Sequence, residues 1–214
     1  MDDIEFKQMW ASLNEKQETT LKVNQKIIEN ASGLRVKSLL NSMKPTKLFL
    51  IIIGILWVLF LDTVIINTFG EVSAFFTISA IIQVLLTKLS IGIYLYQIIM
   101  IQQVDISQPI TVAQEKLLNL KSSTLWVARI LWLQLPVWST FYLHPALFTT
   151  ENLLWLIFQA IATFSLLYLS IWLFININFK NKEKKWFKWL FDNNEWNPVI
   201  KSMELIDDLK EFKN

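Results

Sequence analysis

The sequence predicts an all-α membrane protein with four transmembrane helices, N-in and C-in, carrying cytosolic amphipathic helices at both ends. Three observations predict it. The composition is 53% hydrophobic and 18% charged, more apolar than a soluble surface tolerates. The apolar residues are concentrated: 152–179 and 130–150 are free of Asp, Glu, Lys and Arg apart from the single Glu151 between them. Lysines and arginines flank alternate ends of the apolar runs. These features exclude a soluble globular enzyme, and the absence of cysteine excludes a disulfide or thiolate-metal framework.

The first span covers 48–67, where the run LFLIIIGILWVLFL is followed by Asp62 and TVII. About twenty residues at about 1.5 Å each make a full crossing of a hydrocarbon core about 30 Å thick. The second, 72–104, is interrupted by Lys88. Half of that stretch reaches only about 24 Å, so one long helix is expected rather than two short spans. The third and fourth spans are 124–143 and 153–175. Domain organisation follows: a cytosolic N-terminal helical region at 1–46, a four-helix bundle at 47–179 and a cytosolic C-terminal segment at 180–214.

Orientation comes from the cations, which cytoplasmic loops retain and short translocated loops lack. Arg35, Lys37, Lys44 and Lys47 precede the first span, Lys116 and Lys121 lie between the second and third, and Lys180, Lys182, Lys184, Lys185 and Lys188 follow the fourth. The connections at 68–71 and 145–152 carry neither Lys nor Arg. All positive segments therefore fall on one face, which implies a bacterial inner (cytoplasmic) membrane with both termini cytosolic. Trp155 and Trp172 stand at opposite ends of the fourth span, where an aromatic belt belongs. A long polar stretch before the first span, without a cleavage pattern, implies an uncleaved anchor.

Residues 2–43 read as helix, with Ile4, Phe6, Met9, Trp10 and Leu13 at helical spacing. The seam thins at Gln17, Thr20 and Asn24, so a sustained coiled coil fails there. Ser32-Gly33 is expected to break or bend the helix, and Pro45 to end the segment before the membrane. Phe6, Trp10 and Leu13 are the candidate partner-binding residues. After the last span, KNKEKKWFKWLF combines lysines with aromatics, a pattern that lies in an anionic headgroup layer. Lys184, Lys185, Trp186, Lys188 and Trp189 are the candidate membrane-surface residues. Beyond Asn197-Pro198, residues Ile200, Met203, Ile206 and Leu209 make an apolar face that needs cover, either from the N-terminal helix as a small cap or from another protein.

The intramembrane polar candidates are Asp62, Gln83, Lys88, Arg129, Gln134 and Gln159, because burying an ionisable or amide group in hydrocarbon is costly without a partner. If the second helix enters the membrane near Ala74, Asp62 and Lys88 differ in depth by about 12 Å. Direct pairing then fails, and Lys88 and Arg129 are expected to snorkel to the cytosolic interface. Interhelical hydrogen bonding or a polar transport path would each account for the three glutamines. Pro136 removes a backbone donor and is expected to kink the third span. His144, the single histidine, is expected at the outer interface.

No GxSxG, HExxH, Walker or Gly-rich phosphate motif is present, and four glycines leave little material for one. No catalytic residue, metal ligand or cofactor is therefore assigned. Acids interleave with bases in both tails and the net charge is +2, which disfavours nucleic acid. The lipid bilayer and a cytosolic protein are the expected partners, with homo-oligomerisation left open.

Trp10 within an acidic helix, LKVNQKII at Leu21 to Ile28 and KSLL at Lys37 to Leu40 together resemble a group of short Bacteroidota membrane proteins that accompany extracytoplasmic-function sigma factors. The resemblance covers about forty residues and implies a membrane-tethered regulator. The metal-binding His and Cys pattern of zinc-type anti-sigma domains is not part of it. Two functions follow: a non-enzymatic membrane scaffold or regulatory interaction protein presenting cytosolic helices, or a small channel or transporter component built on the intramembrane polar residues.

Overall fold

The computed structural model describes residues 3–104, 110–149, 152–191 and 196–213. Within them the chain is all-helical. The helices are α1 (Asp3–Asn41), α2 (Lys44–Thr68), α3 (Ala74–Gln103), α4 (Ile110–Trp132), α5 (Leu135–Thr140), α6 (Leu153–Asn176), α7 (Lys185–Phe191) and α8 (Asn197–Lys213). Short 3-10 turns stand at Pro145–Leu147 and Phe179–Asn181. Three helical runs are long and apolar enough to cross a membrane: the one containing α2, then α3 and α6. Their outward side chains are large and apolar, Leu154 on α6 being 84% exposed. Only a hydrocarbon solvent covers such surfaces without penalty, so this is a membrane protein.

Helix α3 is the centre. It packs antiparallel on α2 and also against α4 and α5, which in turn carry α6. As expected, α3 continues unbroken through Lys88. Ser73 starts it by accepting a hydrogen bond from the Phe76 amide, which satisfies an otherwise orphaned helix N–H. The α2–α3 turn uses Gly70 at φ +86°, a backbone conformation that glycine adopts without a Cβ clash. At Gly54 a Cβ would stand 3.1 Å from Ile91 Cγ1, so a single glycine, without a GxxxG repeat, permits close approach of α2 and α3. Below and above it Ile51 packs with Tyr94, and Val58 and Leu61 with Val84.

The third predicted span, 124–143, is not one helix. The rod breaks at Leu133 and Gln134 between α4 and α5. Pro136 supplies the cause, since it offers no N–H to the carbonyl one turn back and its ring crowds that carbonyl. Trp138 resumes the ladder by donating to Gln134 O. The broken rod still runs the length of α3. Leu117 and Leu120 of α4 share a core with Met100, Ile101 and Val104 at one end of α3. At the other end Ser73 Oγ donates to Leu143 O, and Phe75 stacks on Phe148 at 5.8 Å.

Helix α1 is continuous over 39 residues, so the expected break at Ser32-Gly33 does not occur. One interior glycine costs about 1 kcal/mol, less than leaving a second set of helix-end groups unsatisfied. The actual break follows at Ser42 and Met43, with Pro45 in the first turn of α2. The C-terminal part of α1 then packs on α8, and Val36, Leu40 and Met43 join Val199 and Ile206 in the same core as the ends of α3 and α4. A helical cap therefore forms, built from the last turns of α1 and not from its N-terminal stripe. Gln114 of α4 adds a hydrogen bond to Asp207 of α8 at 3.0 Å.

Because four helices meet at Leu117, Leu117→Ala is expected to destabilise the protein by about 2–5 kcal/mol. Urea or thermal denaturation in detergent checks this, together with limited proteolysis, in which α8 is expected to be cleaved before the membrane helices.

Candidate functional site

Two regions gather the residues that the sequence singled out. The first is α1. From Met9 to Leu34 its large apolar side chains are exposed, among them Trp10 at 60%, Leu13, Leu21, Val23, Ile27 and Ile28. The side chain of Phe6 lies outside the described residues. Trp10 and Leu13 sit one turn apart, on a rod whose base is fixed by Val36, Leu40 and Met43.

The C-terminal lysine and aromatic segment forms the edge of a second core. Phe187 and Phe191 of α7 are buried with Leu125, Leu173, Ile177 and Trp196. Trp186 leans on Trp172 with ring centres 5.0 Å apart. Trp189, 83% exposed, points away from this core, and Lys184, Lys185 and Lys188 are exposed. Lys188 pairs with Glu183 at 2.8 Å, and this hydrogen bond holds the Glu183 carboxyl below its ordinary range. The five predicted surface residues thus divide: four face outward, and Trp186 is half packed against α6. Lys121 lies over the Phe179 ring, 3.2 Å from its centre. Burial, and then the neighbouring charge of Lys182, lower its pKa, while Asp207 opposes them.

The second region lies between the apolar helices. Asp62 and Lys88 form an ion pair with Nζ and Oδ2 at 3.1 Å, which overturns the expected depth gap and the snorkelling of Lys88. The error was in the entry level assigned to α3. The contacts of Ile51 with Tyr94 and Leu61 with Val84 place Lys88 level with the region of Trp57. That is about five residues, or about 7.5 Å, from Asp62, a distance a lysine side chain spans. Arg129 is also held by a specific contact: its Nε donates to Ile177 O at 2.8 Å, just beyond the last turn of α6. A cation there meets the negative pole of that helix.

Gln134 donates to Thr87 Oγ1 at 3.3 Å, joining the α4–α5 break to α3. Gln159 of α6 donates to the Ser139 carbonyl and to Thr163 Oγ1, and Ser139 and Thr163 bond at 3.0 Å. Ser79 and Thr140 bond at 2.8 Å nearer the α3 N-terminus. Gln83 differs: it is 1% exposed, and neither its amide nitrogen nor its amide oxygen has a hydrogen-bond partner in the protein. Gln83, Thr87, Ser90, Tyr94 and Gln134 line a cavity of about 280 Å³ between α2, α3 and the α4–α5 break.

Sequence reasoning missed Lys47, which it counted as a juxtamembrane topology signal. Lys47 is fully buried, donates to Gln97 Oε1 and lies 5.1 Å from the centre of the Tyr94 ring. Lys47 lies within the first turn of α2 and Gln97 near the end of α3, so the pairing of these two ends was the available signal. His144 is exposed and its Nδ1 accepts from the Ala146 amide at 3.2 Å, capping a 3-10 turn. No group of His, Asp and Glu suited to a metal occurs among the described residues.

No family model, no curated protein and no solved structure matches this chain.

Two substitutions test the polar pairs. Removing the acceptor of a buried charged donor costs about 1.5–3 kcal/mol, so Gln97→Leu is expected to destabilise by about that amount, and Lys47→Met in the same chain to recover part of it, measured as a double-mutant cycle of unfolding in detergent. For the second pair, Asp62→Lys places two cations together in the apolar layer. Membrane-inserted yield is expected to fall, and the swapped Asp62→Lys/Lys88→Asp chain to regain most of it.

Proposed function

We propose that the protein is a non-enzymatic bacterial inner-membrane scaffold, crossing four times with both termini cytosolic, that holds α1 out as an arm for a helical segment of a cytosolic protein. The observation that carries this reading is the contrast along one helix: Val36 to Met43 are locked into the core, whereas the apolar side chains from Met9 to Leu34 are exposed. The arm from Met9 to Leu34 is about 38 Å long. Binding energy at such surfaces concentrates in large aromatic and aliphatic anchors, which Trp10 and Leu13 supply near the tip. Gln17, Thr20 and Asn24 interrupt the seam, which favours a different partner over a long parallel homodimer. The N-terminal resemblance supports a regulatory partner of the sigma-factor class.

Geometry also supports the topology. The broken α4–α5 rod runs the length of α3, which supports reading it as a fourth crossing although its break and its cations keep it from resembling one. The lysine-bearing ends of α2, α4 and α6 gather at one pole with α7 and α8, whereas the cation-free turns meet at the other. A bilayer with an acidic inner leaflet favours the cationic pole. The polar side chains inside the helices pair across interfaces, as in Gln134 with Thr87 and Gln159 with Ser139, which supports packing over a conduction path.

The native chain contains no cysteine, so single cysteines at Ser12, Glu71, Thr149 and Lys201 report sidedness cleanly. Glu71→Cys and Thr149→Cys are expected to react with an impermeant maleimide in intact cells, and Ser12→Cys and Lys201→Cys only after permeabilisation. For the arm, a photo-crosslinking residue at Leu13 is expected to capture a cytosolic protein through a helical segment, and Trp10→Asp to abolish the adduct. Adducts only to lipid or to the protein's own α8 would remove the scaffold reading.

A further inference from the structure

The Asp62–Lys88 pair stands where lipid does not suit it. Lys88 lies fourteen residues after Ala74 and fifteen before Gln103, about 21–22 Å from the two ends of α3. That is farther than a lysine side chain extends, so its ammonium does not snorkel to an interface. Yet the pair is not enclosed by the protein: the side chain of Lys88 is 52% exposed and that of Asp62 37%. Two half-open charges at this depth are costly against hydrocarbon even when they face each other. Acyl chains offer them no partner, and lipid headgroups lie at a different depth.

The surface around the pair departs from a lipid face in the same way. On α6 the outward residues are large and apolar, among them Leu154, Phe158, Ile161 and Phe164. On α3 the turn after Lys88 presents Gly92, exposed and with open space where a Cβ would stand. Gly54 needs its missing Cβ for the approach of Ile91, whereas nothing within the chain needs that of Gly92, and an interior glycine costs about 1 kcal/mol of helix stability. From Lys88 a groove of about 490 Å³ continues between α3 and α4, past Gly92 and Tyr96 to Asn119 and Ser122. Glycine and small polar side chains on an outward face are the composition of helix–helix contacts within membranes, not of lipid contacts.

The charges decide which protein fits. Helices α2, α3, α5 and α6 contain a single carboxylate, Asp62, and it stands beside the one lysine of α3. A surface bearing one acid next to one base is complementary to itself under twofold rotation. We propose that this face joins two copies of the chain about an axis along the membrane normal. The two α3 helices cross at Gly92, where the absent side chains permit close contact, and each Lys88 then meets the partner's Asp62 as well as its own. Four charges of alternating sign enclose one another, and the exposed part of each pair is withdrawn from hydrocarbon. The contact lies within the membrane helices and is separate from the binding of a cytosolic segment by α1.

The test follows association of the full chain in phosphatidylcholine vesicles by energy transfer between donor- and acceptor-labelled copies, the dyes attached through Lys201→Cys in the otherwise cysteine-free sequence. Energy transfer is expected to saturate at two copies per complex as the protein-to-lipid ratio rises. Gly92→Leu enters open space in the single chain, so its fold is expected to be kept, which circular dichroism checks, while the dissociation constant rises about tenfold or more. Asp62→Leu/Lys88→Leu leaves no charge to cover and is expected to weaken association about as much. In a separate chain, Gly92→Cys is expected to form an intermolecular disulfide on treatment with copper–phenanthroline, and Phe158→Cys on the outward face of α6 is not. A monomer at every dilution, a dimer whose constant is unchanged in Gly92→Leu or in the double variant, or equal cross-linking at both cysteine positions would overturn the proposal. So would capture of a different membrane protein, in place of a second copy, by Gly92→Cys in cells.

Discussion

The close antiparallel packing of α2 on α3 is the constraint on which the other contacts rest. In hydrocarbon there is no hydrophobic drive between helices, so association depends on close packing and on polar groups finding each other. Gly54 allows the approach to Ile91, and this fixes the register. With the register set, Lys47 meets Gln97 and Asp62 comes within reach of Lys88. A slip of one turn, about 5.4 Å, would separate both pairs, leaving a buried ammonium and two charges in an apolar medium. Packing thus creates the polar pairs, and the polar pairs penalise any other packing.

From that pair the rest is built outward. The α4–α5 rod packs against α3 and touches α2 through Trp57 and Trp138, and at the break before Pro136 Gln134 bonds Thr87 of α3. The same break opens the space beside Gln83. A local backbone defect therefore borders a recess between α2 and α3. Helix α6 depends on α4 and α5: Gln159 and Thr163 tie it near one end, and Arg129 ties its C-terminal turn. Most of its remaining surface is apolar and faces outward, as lipid contact requires.

At the cationic pole, two adjoining cores replace the simple membrane-surface helix that the lysine and aromatic pattern suggested. Phe187 and Phe191 turn inward and Trp189 outward, so one short helix packs a core on one face and leaves a large aromatic exposed on the other. The base of α1 is fixed in the neighbouring core, which makes its outer length a directed arm.

Periodicity, composition and charge by themselves determined that this chain is helical and membrane-embedded, where α2, α3 and α6 lie, and that α7 and α8 are separate. These are local properties: hydrocarbon length, a Pro or an Asn-rich stretch act on neighbours in sequence. The sequence also identified Gln83, Gln134 and Gln159 as polar groups needing partners, but could not distribute them, because partners lie on other helices. Only the tertiary structure decided that Asp62 and Lys88 pair, that Lys47 is buried instead of marking the surface, that α1 runs through Gly33, and that the Gln83 amide is buried without a partner in the protein. Each of those depends on register between rods. Register is set by side-chain fit at a few close approaches, such as Gly54 against Ile91, and a hydropathy pattern carries no record of it.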